Sequence, residues 1–156
     1  MRLMKLNRPS ISEIKKHIRH PYMSGVHRSE ERIQNNSEMF TPTELVNEVL
    51  DRLDPMVFSH SNKTFLDPSC GDGQFLGEVL IRKIENGIDF ESALLTIYGV
   101  ELMQDNVDLC RKRLLCGQQD LQHIVEKNIV CADALKYNYT FGEKDTFGHG
   151  LFEIQS

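Results

Sequence analysis

Residues 65–76 read FLDPSCGDGQFL, and their pattern is the most informative in the sequence. It opens with a short apolar run that ends in Asp67, which is the pattern of a short buried strand. Gly71 and Gly73 follow in a loop, where glycine permits positive φ and a close approach of the backbone to a ligand. Apolar residues then recur at helical spacing from Phe75 to Asn86. The stretch therefore predicts a strand, a ligand-contacting loop and a helix.

An apolar run with a terminal acid occurs twice more further along the chain. Residues 96–101 predict a second strand ending in Glu101, and residues 129–133 predict a third ending in Asp133. A helical pattern over 105–115 separates these two strands. Alternating strands and helices predict a parallel sheet with right-handed crossovers, and ligands of such sheets bind at the carboxyl ends of the strands, at a topological switch point. Three carboxylates are therefore expected at one ligand-binding edge.

The loop lacks the glycine signatures of phosphate binding. Neither GxGxxG nor GxxxxGK[ST] occurs, and no lysine follows the loop. A nucleoside without phosphates is the more suitable ligand. Glu101 is placed to accept hydrogen bonds from two ribose hydroxyls, and Asp133 to accept one from an exocyclic amine such as that of adenine. The apolar side chains of Leu102 and Met103 could sandwich a flat base.

These motifs resemble those of the amino-group DNA methyltransferases, which modify adenine N6 or cytosine N4. The stretch at 65–76 resembles that family's first motif, DPxCGxGxFL. YGVEL at 98–102 resembles the second motif, and VCADAL at 130–135 resembles the third. MFTP at 39–42 resembles the FYTP element of the permuted subclass in which the cofactor region comes first. The resemblance implies a class I methyltransferase fold, α/β and Rossmann-like, with an incomplete or truncated parallel sheet and flanking helices.

The resemblance also implies that S-adenosyl-L-methionine (SAM) is the cofactor. Asp67, Gly71 and Gly73 would line the pocket for its methionine part. The element at 40–42 would close over the amino-acid end of the cofactor.

The nucleoside part of SAM would lie further along the same edge. Glu101 would hold the ribose, and Asp133 with Ala134 and Leu102 would hold the adenine. No catalytic residue and no metal ligand is assigned. The expected cofactor-binding residues are Phe40, Thr41, Pro42, Asp67, Pro68, Cys70, Gly71, Gly73, Phe75, Glu101, Leu102, Asp133 and Ala134.

The resemblance ends after the third motif. In the family, a strand ending in NPPY or a close variant follows, and it supplies acceptors for the target amine and an aromatic ring that stacks on the flipped base. The 156 residues contain no NPPY, and no proline follows Pro68. Methyl transfer to DNA is therefore expected to need a missing segment or a partner. The alternatives are a non-catalytic SAM-binding regulatory subunit, sensor or inhibitor and, more weakly, a SAM-consuming lyase or hydrolase.

The charge balance bears on the partners. The formal net charge is −5 and the pI is about 5.7, whereas DNA-binding domains are more often basic. Contact with DNA is therefore possible, but it is not expected from this chain alone. The basic run at 111–113 is interpreted as a solvated helix face, with a phosphate-binding patch as the alternative. An incomplete sheet leaves an unpaired edge, which a second copy or a partner subunit could cover.

Cysteine and hydropathy patterns indicate the compartment. The four cysteines form no CxxC pair and the histidines show no ligand spacing, so neither zinc nor disulfides are predicted. Cys70 is expected as a small loop residue rather than a reactive thiol. No apolar run approaches the ~18 residues of a membrane span, and no signal peptide is recognised. The predicted location is cytoplasmic.

Three segments are predicted. Residues 1–36 form an N-terminal arm or helix, 37–140 the SAM-binding Rossmann-like domain, and 141–156 a C-terminal tail. Within the first segment, Ser10 and Glu13 have the spacing of a capping box at the start of a short helix.

A second helix is predicted at the start of the SAM-binding domain. Thr41 and Pro42 have the pattern of an N-cap and a first helical residue, and Asp54 would end the helix. An apolar stripe is expected to face the core through Leu45, Val46, Val49, Leu50 and Leu53.

Overall fold

The computed structural model describes residues 6–21 and 41–143. In chain order the helices and strands are α1 (Ile11–Ile18), α2 (Thr43–Leu50), α3 (Met56–Ser59), β1 (Phe65–Asp67), α4 (Gln74–Glu85), α5 (Phe90–Leu94), β2 (Ile97–Glu101), α6 (Gln104–Leu115), a 3-10 turn (Gln119–Leu121), α7 (Gln122–Asn128) and β3 (Ile129–Cys131).

The three strands form one parallel sheet in the order β1-β2-β3. Phe65 pairs with Ile97, and Gly99 pairs with Ile129. Because the strands are parallel, their carboxyl ends meet at the same edge of the sheet. This confirms the predicted α/β, Rossmann-like fold with a small parallel sheet and flanking helices.

The main core lies between the sheet and the helices α4 and α6. Apolar residues recur at helical spacing in both helices, and α4 is buried at six consecutive positions from Leu76 to Ile81 because other helices pack on it as well as the sheet. The buried side chains include Leu76, Val79, Leu80, Val107, Cys110, Leu114, Ile97 and Ile129. This packing fixes the loops that connect each strand to its helix, and these loops carry the candidate site.

The first strand lies at an edge of the sheet rather than in its interior. Only β2 pairs with it among the described residues, and Leu66 is 49% exposed. The prediction of a buried strand was therefore wrong. An apolar run of three residues has the same pattern in an edge strand as in a central one, because burial depends on neighbours remote in sequence.

The helix after Pro42 is shorter than predicted. Pro42 is the N-cap, with an extended ψ of 147°, so Thr41 is not the cap, and the helix ends at Leu50. Only Val46 and Leu50 of the predicted stripe are buried, while Leu45, Val49 and Leu53 are exposed.

Helix α1 forms as predicted and packs into the fold. The Ser10 hydroxyl accepts a hydrogen bond from the Glu13 N–H at 3.2 Å, and the Glu13 carboxylate accepts one from the Ser10 N–H at 2.7 Å. Ile14 and Ile18 are buried. The helix contacts α4 and α6. The boundaries proposed for the three segments stay predictions.

Within the described ranges, no helix combines the length and the hydropathy needed to cross a membrane.

The contact between α1 and α4 is closest at Gly77. A Cβ at this position would lie 2.6 Å from Cγ2 of Ile18. Gly77→Ala is therefore expected to lower the free energy of unfolding by about 1–2 kcal/mol, because overpacking outweighs the roughly 1 kcal/mol gained in helix propensity. Urea denaturation would measure the change. The double variant Gly77→Ala/Ile18→Ala should lose less free energy of unfolding than the sum of the losses in the two single variants, because the smaller side chain at position 18 makes room for the added methyl group. A Gly77→Ala variant as stable as the parent would contradict the close approach.

Candidate functional site

The three predicted carboxylates follow the three strands at one edge of the sheet. Asp67 ends β1 and Glu101 ends β2, and Asp133 follows β3 by two residues. The N–H of Gly71 donates to Glu101 Oε2 at 3.1 Å, and the N–H of Ala132 donates to the Glu101 carbonyl at 2.9 Å. Hydrogen bonds therefore join the glycine loop, the end of β2 and the start of the loop after β3.

The glycine loop has the backbone conformation that its sequence predicts. Gly71 and Gly73 adopt φ of 54° and 96°, in the left-handed region that favours glycine. The loop also lies directly against β2: a Cβ on Gly99 would be 2.8 Å from the Cys70 sulfur and 2.9 Å from Cδ1 of Leu76. Glycine at position 99 is thus needed for the loop to approach the strand.

The Glu101 carboxylate is held by three donors. Besides the Gly71 N–H, which reaches Oε2, the Met103 N–H donates to Oε1 at 3.1 Å and the Asn106 side-chain amide at 3.2 Å. The carboxylate therefore has a fixed orientation at the edge of the sheet. It also links the glycine loop to the start of α6, a bracing role that the sequence did not indicate.

Asp67 is a carboxylate with little compensation for its charge. Burial raises the pKa of Asp67, and the negative charge of nearby Glu101 raises it further, while the Ser69 N–H bonded to Oδ1 at 3.0 Å acts in the opposite direction. Within the described part of the chain, neither Asp67 nor Glu101 forms a salt bridge. The two acids make this part of the edge favourable for a cation.

A cavity of about 330 Å³ opens beside β1 and the glycine loop. This volume is at the lower end of the range for small-molecule sites. Its lining includes five predicted residues, namely Thr41, Asp67, Cys70, Gly71 and Phe75, together with Leu50, Phe65, Leu66, Ser69, Gln74, Leu76 and Val79.

The other predicted residues that the structure describes do not line this cavity. Pro42 lines a smaller neighbouring cavity of about 230 Å³, which shares Thr41 with the first. Pro68 is exposed, and Gly73 is buried next to Cys110. Phe40 lies outside the described residues.

The predicted adenine residues lie beyond the ends of β2 and β3. Leu102 is 55% exposed, as an apolar contact for a ligand would be before binding. Asp133 Oδ1 accepts a hydrogen bond from the Leu135 N–H at 2.9 Å, and the Lys136 ammonium lies 3.8 Å from Oδ2. Leu102 and Asp133 thus lie along the same edge as Glu101 but outside the cavity.

Cys70 has the environment of a packing residue. The side-chain hydrogen bond with Cys110 and burial both raise the pKa of the Cys70 thiol far above its usual value. Burial likewise raises the pKa of Cys116 to about 12. The reactive thiolate is therefore strongly disfavoured at both positions, in agreement with the expected role of Cys70 as a small loop residue.

One feature of the site, a buried ion pair, was not predicted. The Asp72 carboxylate lies 2.8 Å from the Arg113 guanidinium, and both side chains are almost fully buried. The interpretation of residues 111–113 as a solvated face was wrong for Arg113, and also for Arg111, whose side chain donates to the Ile129 carbonyl at 2.7 Å. The sequence indicated the inward orientation of Arg113, which follows the buried Cys110 by three residues on α6, but it did not indicate Asp72 as the partner.

Comparison with known proteins identifies the family. The family model described as N-6 DNA Methylase matches residues 27–147. No curated protein and no solved structure gives a significant match. The matched range spans most of the chain and contains the glycine loop and all three strand-end acids. The chain therefore belongs to the N-6 DNA methylase family.

Proposed function

We propose that this chain binds SAM at the carboxyl ends of its strands and serves as the cofactor-binding part of a DNA amino-group methyltransferase. Members of the family are generally SAM-dependent. The observation that carries the proposal is the pair of neighbouring carboxylates, Asp67 and Glu101, without a salt bridge in the described residues and beside a cavity of suitable size.

The chemistry of the donor set fits SAM. SAM carries a sulfonium and an ammonium, so two adjacent carboxylates favour its amino-acid end, which Asp67 and the cavity would receive. Glu101 Oε2 has one donor from the protein and keeps acceptor capacity for a ribose hydroxyl. Asp133, Ala134 and Leu102 would contact the adenine. A phosphorylated nucleotide is disfavoured, because its phosphates would be repelled by the same carboxylates.

Bound SAM would supply an electrophilic methyl group. The residues of this chain would bind and orient the cofactor, because direct in-line displacement requires positioning more than acid–base groups. The 156 residues contain no NPPY motif. We therefore assign the acceptors for the target amine to a further segment or a partner polypeptide.

The free side of β1 supports a partner on this side of the sheet. Among the described residues no strand pairs with β1 on the side away from β2, Leu66 is half exposed, and the adjacent cavity wall is apolar at Leu50, Phe65 and Val79. Exposed strand edges are usually covered by another strand, a loop or another chain. A second copy or a partner subunit covering this edge is part of the proposal.

A non-catalytic SAM-binding regulator is the second candidate function. It is favoured by the acidic net charge of −5, because DNA-binding domains are more often basic. The lyase or hydrolase alternative is less well supported, because it would need a new role for Glu101 or Asp72. Asp72 is buried against Arg113, and Glu101 is held by three donors.

Calorimetric titration tests the cofactor site directly. S-adenosylhomocysteine (SAH) and SAM are expected to bind saturably with one site per chain, whereas ATP should give no heat because of the three carboxylates. SAH lacks the sulfonium charge and should bind without being consumed. The absence of heat with SAH in large excess would refute the proposed site.

A labelled-methyl assay separates the two candidate functions. The chain alone is expected to transfer no label from SAM to DNA, and a methyltransferase role predicts that transfer begins when a polypeptide carrying the NPPY motif is supplied. Label transfer by the chain alone would contradict the assignment of the acceptors to another segment. If the chain binds SAM but no label is transferred even with a polypeptide that carries the NPPY motif, the non-catalytic regulatory function is favoured.

A further inference from the structure

Arg113 holds one residue of the glycine loop at two points. Asp72 stands between Gly71 and Gly73 and is fully buried. Its carboxylate accepts a hydrogen bond from Arg113 Nη2, and its main-chain carbonyl accepts one from Arg113 Nε, each at 2.8 Å. The Gln74 amide donates to the other carboxylate oxygen at 3.0 Å. Side chain and backbone of the central loop residue are thus fixed together.

The same guanidinium also binds the end of α1. Arg113 Nη1 donates to the carbonyls of Ile18 and His20, the second at 3.3 Å. The last carbonyls of a helix lack partners within the helix and carry partial negative charge, so a buried cation stabilises them. One buried side chain therefore joins the C-terminal end of α1 to the loop of the candidate cofactor site.

From this geometry we infer that Arg113 is a positioning residue that couples the docking of α1 to cofactor binding. The inference rests on the proposed binding of SAM. Two glycines with positive φ give the loop little conformational preference of its own, so its bound geometry depends on the anchor at Asp72. Because coupling between two sites is reciprocal, cofactor binding should also stabilise the docking of α1.

A second ion pair provides the matched control. Glu78 on α4 is buried, and its carboxylate accepts hydrogen bonds from Arg19 at 2.9 and 3.1 Å. This pair also attaches the end of α1 to the rest of the fold, but no hydrogen bond among the described residues joins it to the glycine loop. Loss of the Glu78 pair should therefore weaken α1 docking without disturbing the loop.

The test compares Asp72→Asn with Glu78→Gln in the full chain. Asp72→Asn is expected to weaken SAH binding about tenfold, the effect of one charge-assisted hydrogen bond. It should also abolish the SAH-induced slowing of hydrogen exchange at the amides of 11–20. Both variants should lower the melting temperature by similar amounts, because each loses one buried ion pair. Glu78→Gln should keep the SAH affinity within about twofold, an effect far smaller than that of one lost charge-assisted bond. It should also retain the SAH-induced slowing of exchange. Calorimetry, thermal denaturation and exchange mass spectrometry give the three readouts.

The outcomes are distinguishable. If the unsubstituted chain binds SAH and Asp72→Asn binds equally tightly, or if both variants lose the same affinity, the coupling is refuted while the proposed function stands. If the unsubstituted chain fails to bind SAH, the proposed function fails and the inference with it. Should Asp72→Asn not fold, Arg113→Lys replaces it, because an ammonium keeps the charge but cannot bind the loop and the helix end together.

Discussion

Replacing Glu101 by alanine is expected to weaken SAH binding by about 10- to 100-fold, the effect of losing one hydrogen bond between a ribose hydroxyl and a charged acceptor. The substitution also removes the carboxylate that accepts from the N–H groups of Gly71 and Met103, and one acceptor of the Asn106 amide. The melting temperature should therefore fall as well, since each hydrogen bond to a charged acceptor is worth about 1.5–3 kcal/mol and these donors are only partly accessible to water. Calorimetry and thermal denaturation measure the two effects.

A ligand analogue separates ribose recognition from the loss of the hydrogen bonds by which Glu101 links the glycine loop to α6. An SAH analogue without the two ribose hydroxyls should bind the unsubstituted chain weakly and lose little further affinity in Glu101→Ala. If the substitution weakens SAH and the analogue equally, Glu101 acts only through the glycine loop. Glu101→Gln should resemble alanine in affinity, because its amide nitrogen must face one of the N–H donors now bound to the carboxylate.

The strand-end acids could be predicted because their positions follow from local pattern. An apolar run that ends in an acid is visible in the sequence, and parallel strands bring their carboxyl ends together. The positive φ of Gly71 and Gly73 is likewise a property of the loop itself. These features need no information about the rest of the chain.

Features that depend on remote neighbours could not be predicted in this way. Leu66 is half exposed because β1 lies at an edge, and the ion pair of Asp72 joins residues 41 positions apart. The apolar stripe on α2 indicated a helix but not which of its faces would be covered. Helix α7 is different, since Leu121, Ile124 and Val125 are apolar at helical spacing, so its signal was present in the sequence and missed.

Asp67→Asn is expected to change stability and affinity in opposite directions. Because burial raises the pKa of Asp67, the charged form is disfavoured in the folded protein. Folding therefore favours the protonated carboxyl of Asp67. This stabilisation is complete below the pKa that Asp67 has in the unfolded chain, and it is lost as the pH rises through the raised pKa of the folded state. Asparagine is neutral and keeps an oxygen for the Ser69 N–H, so the variant should melt at a higher temperature at neutral pH, with a difference that vanishes in acid.

The affinity of the same variant for SAH should fall by tenfold or more, because the ammonium of the amino-acid end loses a charged acceptor, a bond worth about 1.5–3 kcal/mol. In the unsubstituted chain this affinity should decrease as the pH falls through the raised pKa of Asp67, whereas Asp67→Asn should lack that dependence. Adenosine, which has no ammonium, is the control and should bind both proteins equally. A variant that melts at a lower temperature and retains its SAH affinity would show that Asp67 is a structural cap of β1 and has no role in binding the cofactor.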